Sequence, residues 1–180
     1  MKIVAIVPIK KKSLRVKNKN FRPVNKKPLY QYTLEKLKYC KFDEFYVDSD
    51  SDKVRAYCKK NKIKFIERLP KLSSKNANGN DLLLYHSKII KAEVYFQIFV
   101  TSPLLKISTI NNCINRLKKN IKKYDSILTI QKIYSWFWFN KKPINYNPRV
   151  LPRSQDARPI ILETTGLYGI TKKSLIKYKS

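Results

Sequence analysis

Apolar residues recur with two alternating periods along the first two thirds of the chain. Lys2 to Pro8 (KIVAIVP) is a continuous apolar run, the pattern of a strand buried on both faces. From about Ile9 to Lys27 that pattern is lost and a long loop is expected. Pro28 then opens a helix at a position that tolerates its missing N–H, and Tyr30, Leu34 and Leu37 form the apolar face. Phe42 to Val47 reads as a second strand. Asp48, Ser49, Asp50, Ser51 and Asp52 supply caps for a helix carrying Val54, Tyr57 and Cys58 on one side. Ile63 to Ile66 is a third strand, Asp81 to Ile90 a helix and Val94 to Val100 another apolar strand. Ser108 can cap a helix that buries Ile110, Cys113, Ile114 and Leu117, and Ser126 to Ile130 is a further strand. This rhythm predicts an α/β fold with a doubly wound, mainly parallel sheet. Trp136 to Trp138, the Pro-rich stretch to Pro159 and Leu167 to Ile170 read as short strands and loops over one end of that sheet. With no repeat or flexible linker, residues 1–180 are read as a single domain.

Length and composition agree with a folded domain: 180 residues can bury a real core, and 43% hydrophobic content is too high for a disordered chain. No run of 18 or more apolar residues is present, so no transmembrane helix is expected. The opening MKIVAIVPIKKKS has no small-residue cleavage site after its short apolar run and reads as a buried strand rather than a signal peptide. Cys40, Cys58 and Cys113 are odd in number and far apart, making neither a disulfide framework nor a zinc site; a cytoplasmic protein is expected.

Charge changes the picture. Forty Lys and Arg against 12 Asp and Glu give a formal net charge of +28, a balance that fits nucleic acid, an anionic surface or an anionic small molecule. The cations are mostly Lys, in a chain also rich in Asn, Ile and Tyr, and they gather in no single tail or helix face. Most of the excess therefore reads as compositional bias, with a basic nucleic-acid-binding domain as an alternative. One stretch stands out. Residues 9–27 (IKKKSLRVKNKNFRPVNKK) hold Lys10, Lys11, Lys12, Arg15, Lys17, Lys19, Arg22, Lys26 and Lys27, and the first carboxylate of the chain is Glu35. A strand that empties into a purely cationic loop and then a helix suits a polyphosphate. Ligands of such sheets bind at the carboxyl ends of the strands, which is where this loop begins. None of the three glycines lies here and the Walker spacing is absent, so side-chain ammonium groups must replace a backbone N–H cradle.

The residue order in this loop is more informative than its charge. Pro8-x-Lys10-x-x-Ser13-x-Arg15-Val16-x-x-Lys19-Asn20-x-x-Pro23, followed by Lys27-Pro28-Leu29, resembles the signature of the acylneuraminate cytidylyltransferases, synthetases of CMP-linked nine-carbon acidic sugars. The resemblance continues through Val47 to Asp52, Glu67-Arg68-Leu69-Pro70, Gln97 with Thr101-Ser102-Pro103-Leu104-Leu105, Arg153-Ser154-Gln155-Asp156 and Glu163-Thr164-Thr165-Gly166-Leu167-Tyr168. These segments cover essentially the whole chain in the family's order. The resemblance implies a nucleotide-diphospho-sugar transferase-like, Rossmann-like fold, CTP and a nonulosonic acid as substrates, Mg²⁺, a cytoplasmic location and a homodimer. By position it implies that Lys10 and Lys19 are catalytic and that Ser13, Arg15, Asn20 and Arg68 bind the nucleotide. Gln97, Arg153, Gln155, Asp156 and Glu163 would then face the sugar.

The departures are as specific as the matches. Lys11-Lys12 replace a glycine pair, Leu14 a lysine, Lys75 an aspartate, Asn78 a serine and Gly169 a bulky strand residue. The Asp-x-Asp segment that holds the family's metal does not follow Tyr168, so the chain is expected to lack the family's C-terminal segment or to be a catalytically incomplete nucleotide-binding relative. Asp48, Asp50 and Asp52 are the densest carboxylates and read first as caps and a solvated turn, with Asp50 the one metal candidate. His86, the single histidine, reads as a packed or surface residue rather than a base. The aromatic run Trp136 to Phe139 reads as core packing or a dimer surface.

Overall fold

The computed structural model describes residues 1–13, 16–74, 76–150 and 152–179. Contacts divide the chain into two units, Met1–Leu128 with Thr165–Ser180, and Thr129–Thr164. In chain order the strands are β1 (Ile3–Ile9), β2 (Pro23–Val24), β3 (Lys27–Pro28), β4 (Glu44–Ser49), β5 (Lys64–Glu67), β6 (Val94–Ile98), β7 (Ser126–Ile133), β8 (Trp138–Phe139), β9 (Lys142–Pro143) and β10 (Ile160–Thr171). The helices are α1 (Leu29–Leu37), α2 (Asp52–Lys60), α3 (Gly79–Ile89), α4 (Ile107–Lys119) and α5 (Lys172–Tyr178). Six strands form one sheet in the order β5-β4-β1-β6-β10-β7. β1 pairs in parallel with both β4 and β6, β4 pairs in parallel with β5, and β10 runs antiparallel to β6.

The unbroken apolar run of β1 follows from its place at the centre of this sheet. Ile3, Ala5, Val7 and Ile9 face α1, α2 and α4, meeting Leu34, Val54, Cys58, Ile110 and Ile114. Val4 and Ile6 face the other way, with Tyr95, against Leu83 and Ile90 of the α3 region and Leu175 of α5. The chain is thus doubly wound, with a core on each face. Glycine is scarce, and the two tight hairpins manage without it. Asn25 and Lys26 between β2 and β3, and Asn140 and Lys141 between β8 and β9, all have positive φ, the two-residue turn that suits the twist of a hairpin.

The last third differs from the sequence expectation. β10 is a 12-residue strand inserted between β6 and β7, not a short strand laid over the end of the sheet. Its pattern hid this, because only its second half is buried and that half is interrupted by Gly169. α4 starts at Ile107 with Lys106 as its N-cap, so Ser108 lies inside the first turn. α3 starts at Gly79, where Asn78 and Asp81 form a reciprocal capping box.

Gly169 sits opposite Phe96, and a Cβ there would lie 2.6 Å from Phe96 Cε1 and 2.9 Å from Ile127 Cγ2. Phe96 is fully buried and has no room to retreat. Gly169→Ala is expected to cost about 1–3 kcal/mol in urea unfolding, and adding Phe96→Leu should recover part of that loss in a double-mutant cycle.

At the amino ends of β1, β4 and β5, Glu44 is held by Lys2 at 2.8 Å, by Lys64 and by the Tyr46 hydroxyl at 2.7 Å. Hydrogen bonds from Lys2, Lys64 and Tyr46 lower its carboxyl from an ordinary 4.5 to about 2. The folded form therefore holds the proton less tightly than the unfolded form. The stabilisation is complete above about pH 4.5 and drains away as pH falls towards about 2. Glu44→Gln should flatten that part of the pH–stability curve, as read by denaturant midpoints across the window.

Candidate active site

β4 and β5 lie on one side of β1 and β6 on the other, so the strand order reverses at β1. The segments leaving the carboxyl ends of β1, β5 and β6 enclose a cleft of about 400 Å³ at that reversal. Lys10, Ser13, Lys19, Asn20 and Arg68 line it, together with Lys12, Asn78, Gly79 and Thr101. Five residues assigned to catalysis or nucleotide binding from their order in the sequence therefore share one cavity. Arg15 lies outside the described residues.

The cationic loop is held in shape by its own polar groups. Asn20 is buried, and its side-chain amide donates to the Lys10 carbonyl at 3.0 Å. Asn18 takes the left-handed conformation (φ 53°) that starts the turn carrying Lys19. The Lys10 ammonium donates to the Ser74 carbonyl at 3.1 Å. Asp50, the metal candidate, spends its carboxylate on this scaffold: Oδ1 accepts from the Lys11 backbone N–H at 2.6 Å and Oδ2 from the Ser73 hydroxyl at 3.3 Å. The Thr101-Ser102-Pro103-Leu104-Leu105 segment is clasped by Lys36, whose ammonium donates to the Pro103 and Leu105 carbonyls at 2.5 Å each. Burial pushes the Lys36 amine below its usual range.

The back wall is built from charges that sequence reading left apart. Asp48 is fully buried on β4, on the face that α3 covers. Its Oδ1 accepts from Arg68 Nε, its backbone carbonyl accepts from Arg68 Nη2 at 3.1 Å, and its Oδ2 lies 2.7 Å from His86 Nε2. Asp48 is thus no helix cap, and the N-cap of α2 is Ser51. His86 is packed, as expected, but against a carboxylate. Its position was readable: with Leu82, Leu83 and Ile90 it falls at helical spacing on the buried face of α3.

Gln97 is buried on β6 and does not line the cleft itself. Its amide donates to the Gly79 carbonyl at 3.2 Å, which supports a residue that does. Arg153, Gln155, Asp156 and Glu163 belong to the second unit and are exposed. There Arg153 Nε donates to Asp156 Oδ2 at 2.7 Å across a short turn. Asn145 pins this unit, its amide donating to the Ser135 and Arg158 carbonyls at 2.7 Å each.

Magnesium needs carboxylate oxygens beside those of the phosphates. Among the described residues no group of three or more His, Cys, Asp or Glu could hold a metal ion, and no carboxylate lines the cleft. These residues do not fit a magnesium site.

A family model described as Cytidylyltransferase matches residues 4–144. The chain belongs to the cytidylyltransferase family. No curated protein sequence matches it. Solved structures share the cytidylyltransferase fold at low identity. One is a CMP:2-keto-3-deoxy-manno-octonic acid synthetase complexed with CTP, 18% identical with a TM-score of 0.75 over 99% of this chain and 77% of that one. Another is a cytidylyltransferase from Leptospira borgpetersenii serovar Hardjo-bovis, 19% identical with a TM-score of 0.65 over 98% of this chain and 63% of that one. A third is the bifunctional IspDF from Campylobacter jejuni, 21% identical with a TM-score of 0.59 over 97% of this chain and 43% of that one. The chain thus spans less than two thirds of the length of the second and third. No helix among the described residues is long and apolar enough to cross a membrane.

Proposed function

We propose that this cytidylyltransferase activates a nonulosonic acid with CTP, giving a CMP-sugar and pyrophosphate. The observation that carries this reading is the shared cleft of Lys10, Ser13, Lys19, Asn20 and Arg68, at the carboxyl edge of the sheet and with no carboxylate among the described residues that line it. In the reaction the anomeric hydroxyl of the sugar attacks the α-phosphorus of CTP. The bond to the bridging oxygen breaks, pyrophosphate leaves with its electron pair, and the hydroxyl proton passes to solvent water. Little covalent chemistry falls to the protein in such a transfer; positioning and charge stabilisation dominate. Lys19 and Lys10 neutralise the α-phosphate and the leaving group. Ser13, Asn20 and Arg68 hold the nucleotide. Arg153, Gln155, Asp156 and Glu163 are the proposed sugar contacts, with Arg153 exchanging Asp156 for the sugar carboxylate, while Gln97 acts from behind the cleft by holding Gly79. No step is assigned to magnesium.

A homodimer in the cytoplasm completes the proposal. The second unit exposes Trp138, Phe139 and Ile161, a set of large apolar side chains that a partner surface would cover. The choice of a carboxylated sugar rests on the ordered motifs, and the octonic acid named for the first neighbour is of the same chemical class. A second reading, nucleotide binding without turnover, is favoured by the lack of a carboxylate group for metal among the described residues.

The deciding assay is pyrophosphate release from CTP with a panel of eight- and nine-carbon keto-deoxy acids, beside ATP, GTP and UTP. Release that needs both CTP and an acidic sugar is expected. CTP binding without release selects the second reading. Absence of CTP binding, or salt-sensitive binding to any nucleic acid in its place, overturns both.

A further inference from the structure

We propose that Asp48 and His86 are positioning residues for nucleotide binding: through a buried chain of hydrogen bonds they fix the Arg68 guanidinium in the wall of the cleft. This rests on the reading of the cleft as the CTP site. Arg68 is almost wholly out of contact with solvent, and Asp48 and His86 are entirely so. Both bonds that the Arg68 guanidinium donates among the described residues go to Asp48, one from Nε to the carboxylate and one from Nη2 to the backbone carbonyl. That edge of the guanidinium is therefore spent, and its rotation about the Cδ–Nε bond is blocked. The Nη1 donors are left for a ligand in the cleft that Arg68 lines.

His86 completes the chain at the far end. A carboxylate paired with a guanidinium is an acceptor, so the imidazole meets Asp48 Oδ2 with a proton on Nε2. The same ring has a buried Nδ1 with no partner among the described residues. An uncompensated buried polar atom is a cost that a leucine at this position, beside the buried Leu82 and Leu83, would not incur. What the imidazole supplies in exchange is one donor to Asp48. Without it Asp48 Oδ2 would be a buried unpaired oxygen, free to draw Arg68 across to a bidentate pairing and away from the cleft.

The test uses the full chain, with cooperative thermal unfolding required of each variant. Wild type, His86→Leu and His86→Gln are titrated calorimetrically with CTP, and exchange of the Arg68 Nε–H is followed by ¹⁵N NMR. His86→Leu is expected to weaken CTP roughly tenfold or more, while His86→Gln, which keeps an amide donor near the Nε2 position, stays within about twofold of wild type. The Arg68 Nε–H should exchange slowly in wild type and His86→Gln and rapidly in His86→Leu. A folded His86→Leu that binds CTP like wild type overturns the proposal, as does a His86→Gln as weak as His86→Leu. If His86→Leu does not fold, Asp48→Asn carries the comparison, with the same loss of affinity and faster exchange expected and wild-type behaviour in both overturning. A wild type that binds no CTP refutes the nucleotide reading of the cleft and this role in binding with it. A slow Nε–H lost in His86→Leu would then still uphold the anchoring of Arg68, and an unchanged one would overturn that too.

Discussion

Lys19→Ala should lower turnover about 10²- to 10³-fold with no change in thermal unfolding. The loop after β1 has no glycine to let backbone N–H groups surround a polyphosphate, and no carboxylate among the described residues lines the cleft to hold a metal against one. The negative charge that builds on the α-phosphate and on departing pyrophosphate must therefore meet side-chain cations. Among the described residues Lys19 forms no ion pair, so its charge is available to the ligand, and its half-buried place in the cleft strengthens it relative to a solvated lysine. Lys10 is tethered to the Ser74 carbonyl and is the weaker of the two. The informative control is Lys11→Ala. Its ammonium is exposed, lies 3.9 Å from Asp52 and stands outside the cleft, so turnover should hold steady. Steady-state kinetics with CTP varied separates the two variants. Equal losses in both would mean that overall charge matters rather than the cleft, returning the excess of 28 positive charges to the centre of the problem.

How far the molecule could be read from its residues depended on whether a position was fixed by pattern or by a partner far away in sequence. β1, most of β6 and the buried faces of α1, α2 and α4 are apolar, so the periods of strand and helix show directly. β10 failed that test, because its buried half follows an exposed half and Gly169 in the buried half leaves space for Phe96 from another strand. The cleft behaved in the same way. Lys10, Ser13, Lys19 and Asn20 follow one another along a single loop, and their order alone grouped them. Arg68 joined them through its motif. Asp48 and His86 stayed invisible as a pair, since Asp48 sits among four other Asp and Ser residues that look like caps, and the residue it needs is 38 positions on. Asn20 lines the cleft and also has an immediate purpose that its motif does not show. Its side-chain amide shapes the loop by holding the Lys10 carbonyl, a bond that only the folded backbone reveals.

Asp48→Ala is expected to destabilise the protein by about 3–5 kcal/mol, because it strands a guanidinium and an imidazole N–H in the interior at once. For a chain of this length that corresponds to a fall in melting temperature of roughly 6–20 °C. Asp48→Asn keeps the volume and one acceptor oxygen and should lose less. The sharper comparison replaces all three groups together. Asp48→Leu with Arg68→Met and His86→Phe removes every buried charge and the unpartnered Nδ1, and such apolar substitutions are often neutral or stabilising by about 1–4 kcal/mol. The triple variant should therefore melt at least as high as Asp48→Ala while binding no CTP. Separating the two readouts distinguishes a buried ion pair kept for folding from one kept for the site. If the triple variant regains stability and binding together, the cleft does not need Arg68. If it regains stability alone, the cost of burying these charges is justified by where they hold one guanidinium.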